Sequence, residues 1–415
     1  MQNNNKKYKL ICGDSIEELK QFPDNHFDSI VTDPPYELGF MGKSWDSTGI
    51  AYNEELWSQC FRVLKPGGHL IAFSGSRTYH RMAVAIENSK FEIRDQIIWM
   101  YGQGFPKSLD ISKAIDKKFG AEREVIGKGN IRGSNGVFDG NNNAGKYGFK
   151  CGEEVNITAP STEEAKQWDG WGTALKPAHE PMVLARKPLS EKTVAENVLK
   201  WGVGGLNIDG CRVGYLNQED KEKALKGDAF KRTNNDDKEW SRPWMKDEEK
   251  VKDLNKQAKE RAEQGRFPAN IIHDGSEEVV SVFPDSKGKG HVPKSTINSN
   301  SIFGTNKIEN QEEKYFEDSG SASRFFYCAK ASKKDRNSGE LSNNHPTVKP
   351  TDLMAYLCRL VTPPNGLILD PFNGSGSTCK AAVRENFNYV GIDLSQEYLD
   401  ISKARIDNEI NNKKK

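Results

Sequence analysis

The stretch "LILDPFNGSGST", residues 367–378, decides the fold. An apolar run ends in Asp370, a Phe-x-Gly-x-Gly turn follows, and helix-forming residues resume at Thr378. Glycines let a backbone turn sharply and come close to a ligand at a helix N-terminus. Alone, such a turn is equally what any tight strand-to-helix connection looks like. The next apolar run, YVGIDL at 389–394, contains Asp393 near its end. That is about the 20-residue offset at which an open parallel sheet places the acid that holds a ribose hydroxyl pair. The two features in this order point to a nucleoside-binding sheet.

Helices are expected over residues 352–361, 378–385 and 396–411 around these strands, and then the chain nearly runs out. Such a sheet needs more strands, and the N-terminal region must supply them. YKLICGD (8–14), FDSIVTD (27–33), HLIAFSG (69–75) and RDQIIWMY (94–101) read as strands, with helices opening at Ser15 and covering 54–65 and 79–88. Strands alternating with helices predict an α/β fold with a mostly parallel sheet flanked by helices. Gly13-Asp14 would end the third strand of the ordinary order, where a carboxylate can meet an adenine amino group. The expected fold is therefore Rossmann-like and circularly permuted, with its ligand-binding half last. Permutation is physically reasonable because chain termini often lie close together on a surface.

The alternation stops near Tyr101 and resumes near Pro350. We expect residues 1–111 to form the N-terminal half of the domain, 112–340 a large insertion and 341–415 the C-terminal half. Within the insertion, 127–150 reads as a Gly/Asn-rich loop, 216–265 as a solvated, charged helical excursion, and 285–322 as a Ser/Gly/Asn-rich mobile segment. Residues 179–187, 267–274 and 324–331 are apolar enough to pack.

A second site is written in "SIVTDPPYELGFMGKSWD", residues 29–46. In open α/β sheets ligands sit beyond the carboxyl ends of the strands, where Asp33 falls. Pro34 and Pro35 have fixed φ and no N–H, so the Pro34 carbonyl is free to point into a pocket. Asp33 and that carbonyl make two acceptors, and Tyr36 offers a flat face. This set suits a planar ring bearing an exocyclic NH₂: accepting both hydrogens concentrates the lone pair on nitrogen and orients it toward an electrophile. A Pro-Pro turn that merely caps the strand is the plain alternative.

"DPPY" at 33–36, "HPTVKP" at 345–350 and "DPFNGSGST" at 370–378 together resemble the amino-group DNA methyltransferases that use S-adenosyl-L-methionine. The order of the motifs, DPPY first, resembles the subclass called beta. The resemblance covers residues 8–111 and 343–405; by position, the middle resembles a target recognition domain. It implies that Asp33, Pro34, Pro35 and Tyr36 are catalytic. It implies that Asp370, Pro371, Phe372, Gly374, Ser375 and Gly376 hold the methionine part of the cofactor. Asp393 would take the ribose and Asp14 the adenine end, with His345, Thr347, Lys349 and Pro350 closing over the cofactor from the other side. A target base would be flipped out of the duplex and stacked on Tyr36, with the loop at 39–45 closing over it. Arg77, Lys176, His179 and Arg324 are candidate contacts to DNA phosphates.

The expected reaction is methyl transfer to an amino nitrogen of double-stranded DNA. Asp rather than Ser ahead of Pro-Pro-Tyr leans toward adenine N6, with cytosine N4 as the alternative. Methylation of RNA or of a protein glutamine, or a non-catalytic DNA-binding relative, are lesser readings. Composition fits but does not decide: 60 Lys+Arg against 59 Asp+Glu leave a net charge of +1, so any basic surface must be local. Seven cysteines lie scattered with no CxxC pair, which argues against a zinc cluster or disulfide framework and suits a cytoplasmic protein; the resemblance implies nucleoid association through DNA. No apolar run approaches the ~20 residues of a membrane span. A homodimer and a paired restriction endonuclease stay open.

Overall fold

The computed structural model describes residues 8–38, 44–102, 104, 108–130, 154–226, 247–292, 299–301, 304–306, 314–329, 343 and 348–413. These fall into two compact units, Tyr101–His179 and the remainder, Met1–Met100 with Glu180–Lys415.

The larger unit is built on a nine-stranded sheet. In chain order its strands are β1 (Tyr8–Cys12), β2 (Phe27–Thr32), β3 (Leu64–Phe73), β4 (Glu92–Met100), β5 (His179–Arg186), β6 (Ile271–His273), β7 (Tyr327–Cys328), β8 (Leu367–Asp370) and β9 (Asn388–Asp393). In space they run β1-β9-β8-β2-β3-β5-β4-β6-β7. The pairs from β1 to β3 are parallel, as are β4 with β6 and β6 with β7, whereas β5 runs antiparallel to β3. All six residues of β2 are buried, as a central parallel strand covered on both faces requires. The permuted α/β architecture expected from the sequence is thus present, with the two ends of the chain interleaved in one sheet.

Six helices border this half of the sheet: α1 (Ser15–Leu19), α2 (Glu54–Val63), α3 (Tyr79–Asn88), α4 (Thr351–Val361), α5 (Ser377–Arg384) and α6 (Gln396–Lys413). Helices α1 to α3 pack in succession, and so do α4 to α6. Leu19, Phe27, Ile30, Leu56, Trp57, Leu70, Met82 and Ile86 share one core with Val183, Leu369 and Ile392. Asp28 pins the permuted join. Its Oδ2 accepts the Leu367 N–H at 2.7 Å and its Oδ1 takes Lys65 Nζ at 2.6 Å, tying β2 to the start of β8.

The middle of the chain departs from the expected insertion. The three apolar segments at 179–187, 267–274 and 324–331 supply β5, β6 and β7, because Met182, Val183, Ala185 and Ile272 can be buried only by joining the sheet. The compact second unit is the shorter Tyr101–His179. Residues 216–265 do contain helices, Gln218–Lys226 and Glu248–Glu263. The segment expected to be mobile holds two antiparallel ladders, Asp285–Val292 with Lys314–Ser321 and Ser299–Ser301 with Gly304–Asn306. The loop at 131–150 lies outside the described residues. Among those described, no helix is long and apolar enough to cross a membrane.

Candidate active site

Strands β8 and β2 are parallel neighbours in the register Ile368 to Ser29 and Leu369 to Ile30. The glycine turn after β8 and the DPPY corner after β2 therefore leave the same edge of the sheet side by side. One hydrogen bond joins them: Thr32 Oγ1 donates to Asp370 Oδ1 at 2.6 Å. Asp370 is only 1% exposed and also accepts the Phe372 N–H at 3.0 Å and the Tyr389 hydroxyl at 3.2 Å. Burial pushes its pKa up to about 6 against the pull of these donors. The Asp370 carboxyl, which the resemblance sets on the cofactor side, ties β8, β2 and β9 together.

The turn itself is held from three sides. Gly374, at φ 49°, gives its N–H to Asp393 Oδ2 at 2.7 Å, and Ser395 N–H occupies Asp393 Oδ1 at 2.9 Å. Gly376 caps α5 at φ 76°, and a Cβ there would stand 2.0 Å from Ser402 Oγ, so only glycine fits. Ser15 Oγ donates to the Pro371 carbonyl at 2.5 Å. From α6, the buried Arg405 reaches the Ser375 carbonyl at 2.6 Å, Ser375 Oγ at 3.0 Å and Ser377 Oγ at 3.3 Å. No motif or spacing marked Arg405. Asp393 keeps lone pairs beyond the two it uses, since an ionised carboxylate offers about four; burial raises its pKa and its two N–H donors oppose that. Cys12 of β1 pairs with Asp393, so Asp14, the exposed cap of α1, follows at the adjacent strand end. Asp14, Asp393, the 371–376 turn and Asp33 thus stand in a row along four neighbouring strand ends.

At the DPPY corner, Lys349 Nζ lies 2.6 Å from Asp33 Oδ2 and 3.3 Å from Glu180 Oε2. The Tyr36 hydroxyl donates to the same Glu180 oxygen at 2.8 Å. Asp33 Oδ1 is buried and has no hydrogen-bond partner among the described residues. The ammonium sits over two rings, 5.2 Å from the centroid of Tyr36 and 4.9 Å from that of Phe73. Burial works against its charge, but Asp33 and Glu180 outweigh it and raise its pKa. Burial, then the Asp33 and Glu180 carboxylates, push the Tyr36 phenol well above its ordinary value, so it remains a donor. Thr78 Oγ1 holds the Tyr36 carbonyl at 2.9 Å, and the buried Asp46 carboxylate accepts the N–H groups of Glu37 and Leu38 at 3.0 and 3.2 Å. The aromatic is thereby fixed in place.

Other expectations fare unevenly. Lys349, which the resemblance sets on the cofactor side, contacts Asp33. Pro350 is the buried cap of α4. His345, Thr347, residues 39–43 and the side chain of Trp45 lie outside the described residues. Arg77 is exposed beside the site's strand ends, and Lys176 and His179 are exposed in the Tyr101–His179 unit. Arg324 does not suit a phosphate contact. It is 4% exposed, pairs with Asp220 at 3.3 Å, donates to the Gly320 and Ser321 carbonyls and stacks on Phe325. Glu180 was missed altogether. It opens the antiparallel β5, and only the strand order brings that end of β5 to the site.

The sequence profile of the N6/N4 DNA methylase family matches residues 27–404, which span both corners of this site. The chain belongs to the DNA methylase family. It is 32% identical over 114 residues to the type II methyltransferase M.HpaI of Haemophilus parainfluenzae, a match covering 26% of this chain and 36% of that one. Against the type II methyltransferase M.HindIII of Haemophilus influenzae it is 25% identical over 237 residues, 47% of this chain and 63% of the relative. The chain thus spans between about a third and two thirds of these two curated methylases. Among solved structures, the M1.HpyAVI–SAM complex aligns over 96% of this chain and 99% of its own, with a TM-score of 0.40 and 15% identity.

Proposed function

We propose that this methylase transfers a methyl group from S-adenosyl-L-methionine to an exocyclic amino nitrogen in double-stranded DNA, adenine N6 in preference to cytosine N4. The observation that carries the reading is the buried, unpartnered Asp33 Oδ1 at a strand end next to the glycine turn. A buried acceptor without a donor is costly unless a ligand supplies one.

The residues fit the cofactor. Asp393 has acceptor capacity left for a ribose hydroxyl pair, Asp14 stands at the next strand end for the adenine, and the left-handed Gly374 and Gly376 leave two positions of the turn without a side chain. Once held there, S-adenosylmethionine supplies an electrophilic methyl group on a sulfonium. Asp33 Oδ1 accepts one hydrogen of the target amino group and the Pro34 carbonyl accepts the other. Together they draw electron density toward the nitrogen lone pair and fix its direction. Tyr36 stacks on the extruded base. Such stacking is worth about 1–3 kcal/mol, of the same order as the few kcal/mol that flipping costs. The Tyr101–His179 unit, with Lys176 and His179 exposed, and Arg77 beside the site are the proposed phosphate contacts, and the motif order supports a beta arrangement.

Incubating the protein with labelled S-adenosylmethionine and, in parallel, duplex DNA, RNA and protein tests the substrate class, and mass spectrometry of the DNA nucleosides tests the base. N6-methyladenine in DNA is expected. N4-methylcytosine alone would overturn the adenine preference, and label only in RNA or protein would overturn the DNA assignment. Asp33→Ala should abolish transfer yet still bind cofactor.

A further inference from the structure

A carboxylate held at one oxygen only aims the other. At Asp33 the holding group is Lys349, which sits 2.6 Å from Oδ2 while Oδ1 faces inward without a partner among the described residues. Lys349 is itself over-determined. Its side chain is 7% exposed, its ammonium meets two carboxylates, and the faces of Tyr36 and Phe73 close on it. Glu180 links both halves of the clamp, because one of its oxygens takes the Lys349 ammonium and the Tyr36 hydroxyl together.

We infer that Lys349 and Glu180 are positioning residues for the transfer: Lys349 locks Asp33 through Oδ2 so that Oδ1 is presented to the target amino group, and Glu180 locks the Tyr36 ring and Lys349. The inference rests on the reading under Proposed function. A terminal carboxylate torsion is soft and roughly two-fold, so an unanchored Asp33 would spread over many orientations. The charges also match the reaction. Two carboxylates and one ammonium leave a net negative cluster facing an amino nitrogen that becomes positive as it attacks the methyl group. Without Lys349, Asp33 and Glu180 would stand as like charges converging on one point, with nothing between them. The ammonium thus separates the two carboxylates and steadies the aim of Asp33, without touching the reacting atoms.

The full chain, unmethylated genomic DNA and tritiated S-adenosylmethionine suffice for the test, with cofactor Kd by calorimetry as the control. Lys349→Met retains the side-chain stem and loses the charge. It should lower kcat by about 10²-fold, the usual cost of losing preorganisation at one hydrogen-bonding group, with cofactor Kd unchanged. Lys349→Arg should recover part of that loss. Glu180→Ala and Tyr36→Phe should be non-additive, since both break the same hydrogen bond. Wild-type kcat in Lys349→Met beside an inactive Asp33→Ala overturns this inference and leaves the proposed function standing; an active Asp33→Ala overturns the function itself. Should Lys349→Met lose cofactor binding, Glu180→Gln replaces it. It keeps an acceptor for Tyr36 and removes the charge facing Lys349, and an unchanged kcat there overturns the inference.

Discussion

At Gly376, backbone conformation and crowding demand the same residue. With φ at 76° and the Ser402 hydroxyl 2.0 Å from where a Cβ would stand, Gly376→Ala strains the backbone and overpacks a buried contact. Left-handed backbone costs roughly 1–2 kcal/mol and overpacking about 1–3 kcal/mol. Urea unfolding should show a loss of about 2–4 kcal/mol, partly restored by adding Ser402→Gly; an unshifted midpoint would mean that the turn is not packed as described. Asp370 makes a pH-dependent prediction. Its folded carboxyl keeps a proton up to about pH 6, whereas an unfolded one releases it near 3.8. The proton-linked stabilisation is therefore complete below about pH 3.8 and is lost as the pH rises through about 6. Comparing wild type with Asp370→Asn between pH 4 and 7, the stability difference should fall by up to about 3 kcal/mol, at 1.36 kcal/mol per pKa unit. A difference flat with pH would contradict the buried, proton-holding Asp370.

Among the elements, helix α6 has a task beyond closing the fold. It sends Arg405 under the glycine turn, where one guanidinium nitrogen collects the Ser375 carbonyl and the hydroxyls of Ser375 and Ser377. Hydrogen bonds from a charged group are worth more than neutral ones, about 1.5–3 kcal/mol each. Arg405→Met should loosen the 371–376 turn and weaken S-adenosylmethionine binding by about 10- to 10²-fold, measured by calorimetry at low temperature on folded protein. A variant that binds cofactor as well as wild type would show that the turn holds its shape without α6. Strand β5 is the companion case on the base side. Being antiparallel to β3, it begins where the parallel strands end, and so delivers Glu180 to Tyr36.

For the molecule as a whole, permutation makes the two chain ends interdependent. Strand β1 pairs with β9, and β2 with β8, so the C-terminal strands have N-terminal strands on both sides. Residues 350–415 expressed alone would expose both edges of a two-strand sheet and the apolar faces of α4 and α5. That fragment should show no cooperative thermal transition, and co-expression with residues 1–349 should restore one. A cooperative transition in the isolated fragment would refute the interleaving.

What the sequence by itself determined is local. Apolar runs ended by Asp-Pro-Pro-Tyr, by Gly-Asp and by Asp-Pro-Phe-x-Gly placed Asp33, Asp14 and Asp370 at strand ends, because strand periodicity and turn chemistry act over a few residues. Only the tertiary structure decided which distant side chains meet. Lys349 faces Asp33, Glu180 and Arg405 enter the site unannounced, Arg324 is drawn inward by Asp220, and three apolar segments of the middle complete the sheet. Those meetings depend on strand order and on the antiparallel course of β5. Both are settled by burying apolar surface across the whole chain, and no local pattern records them.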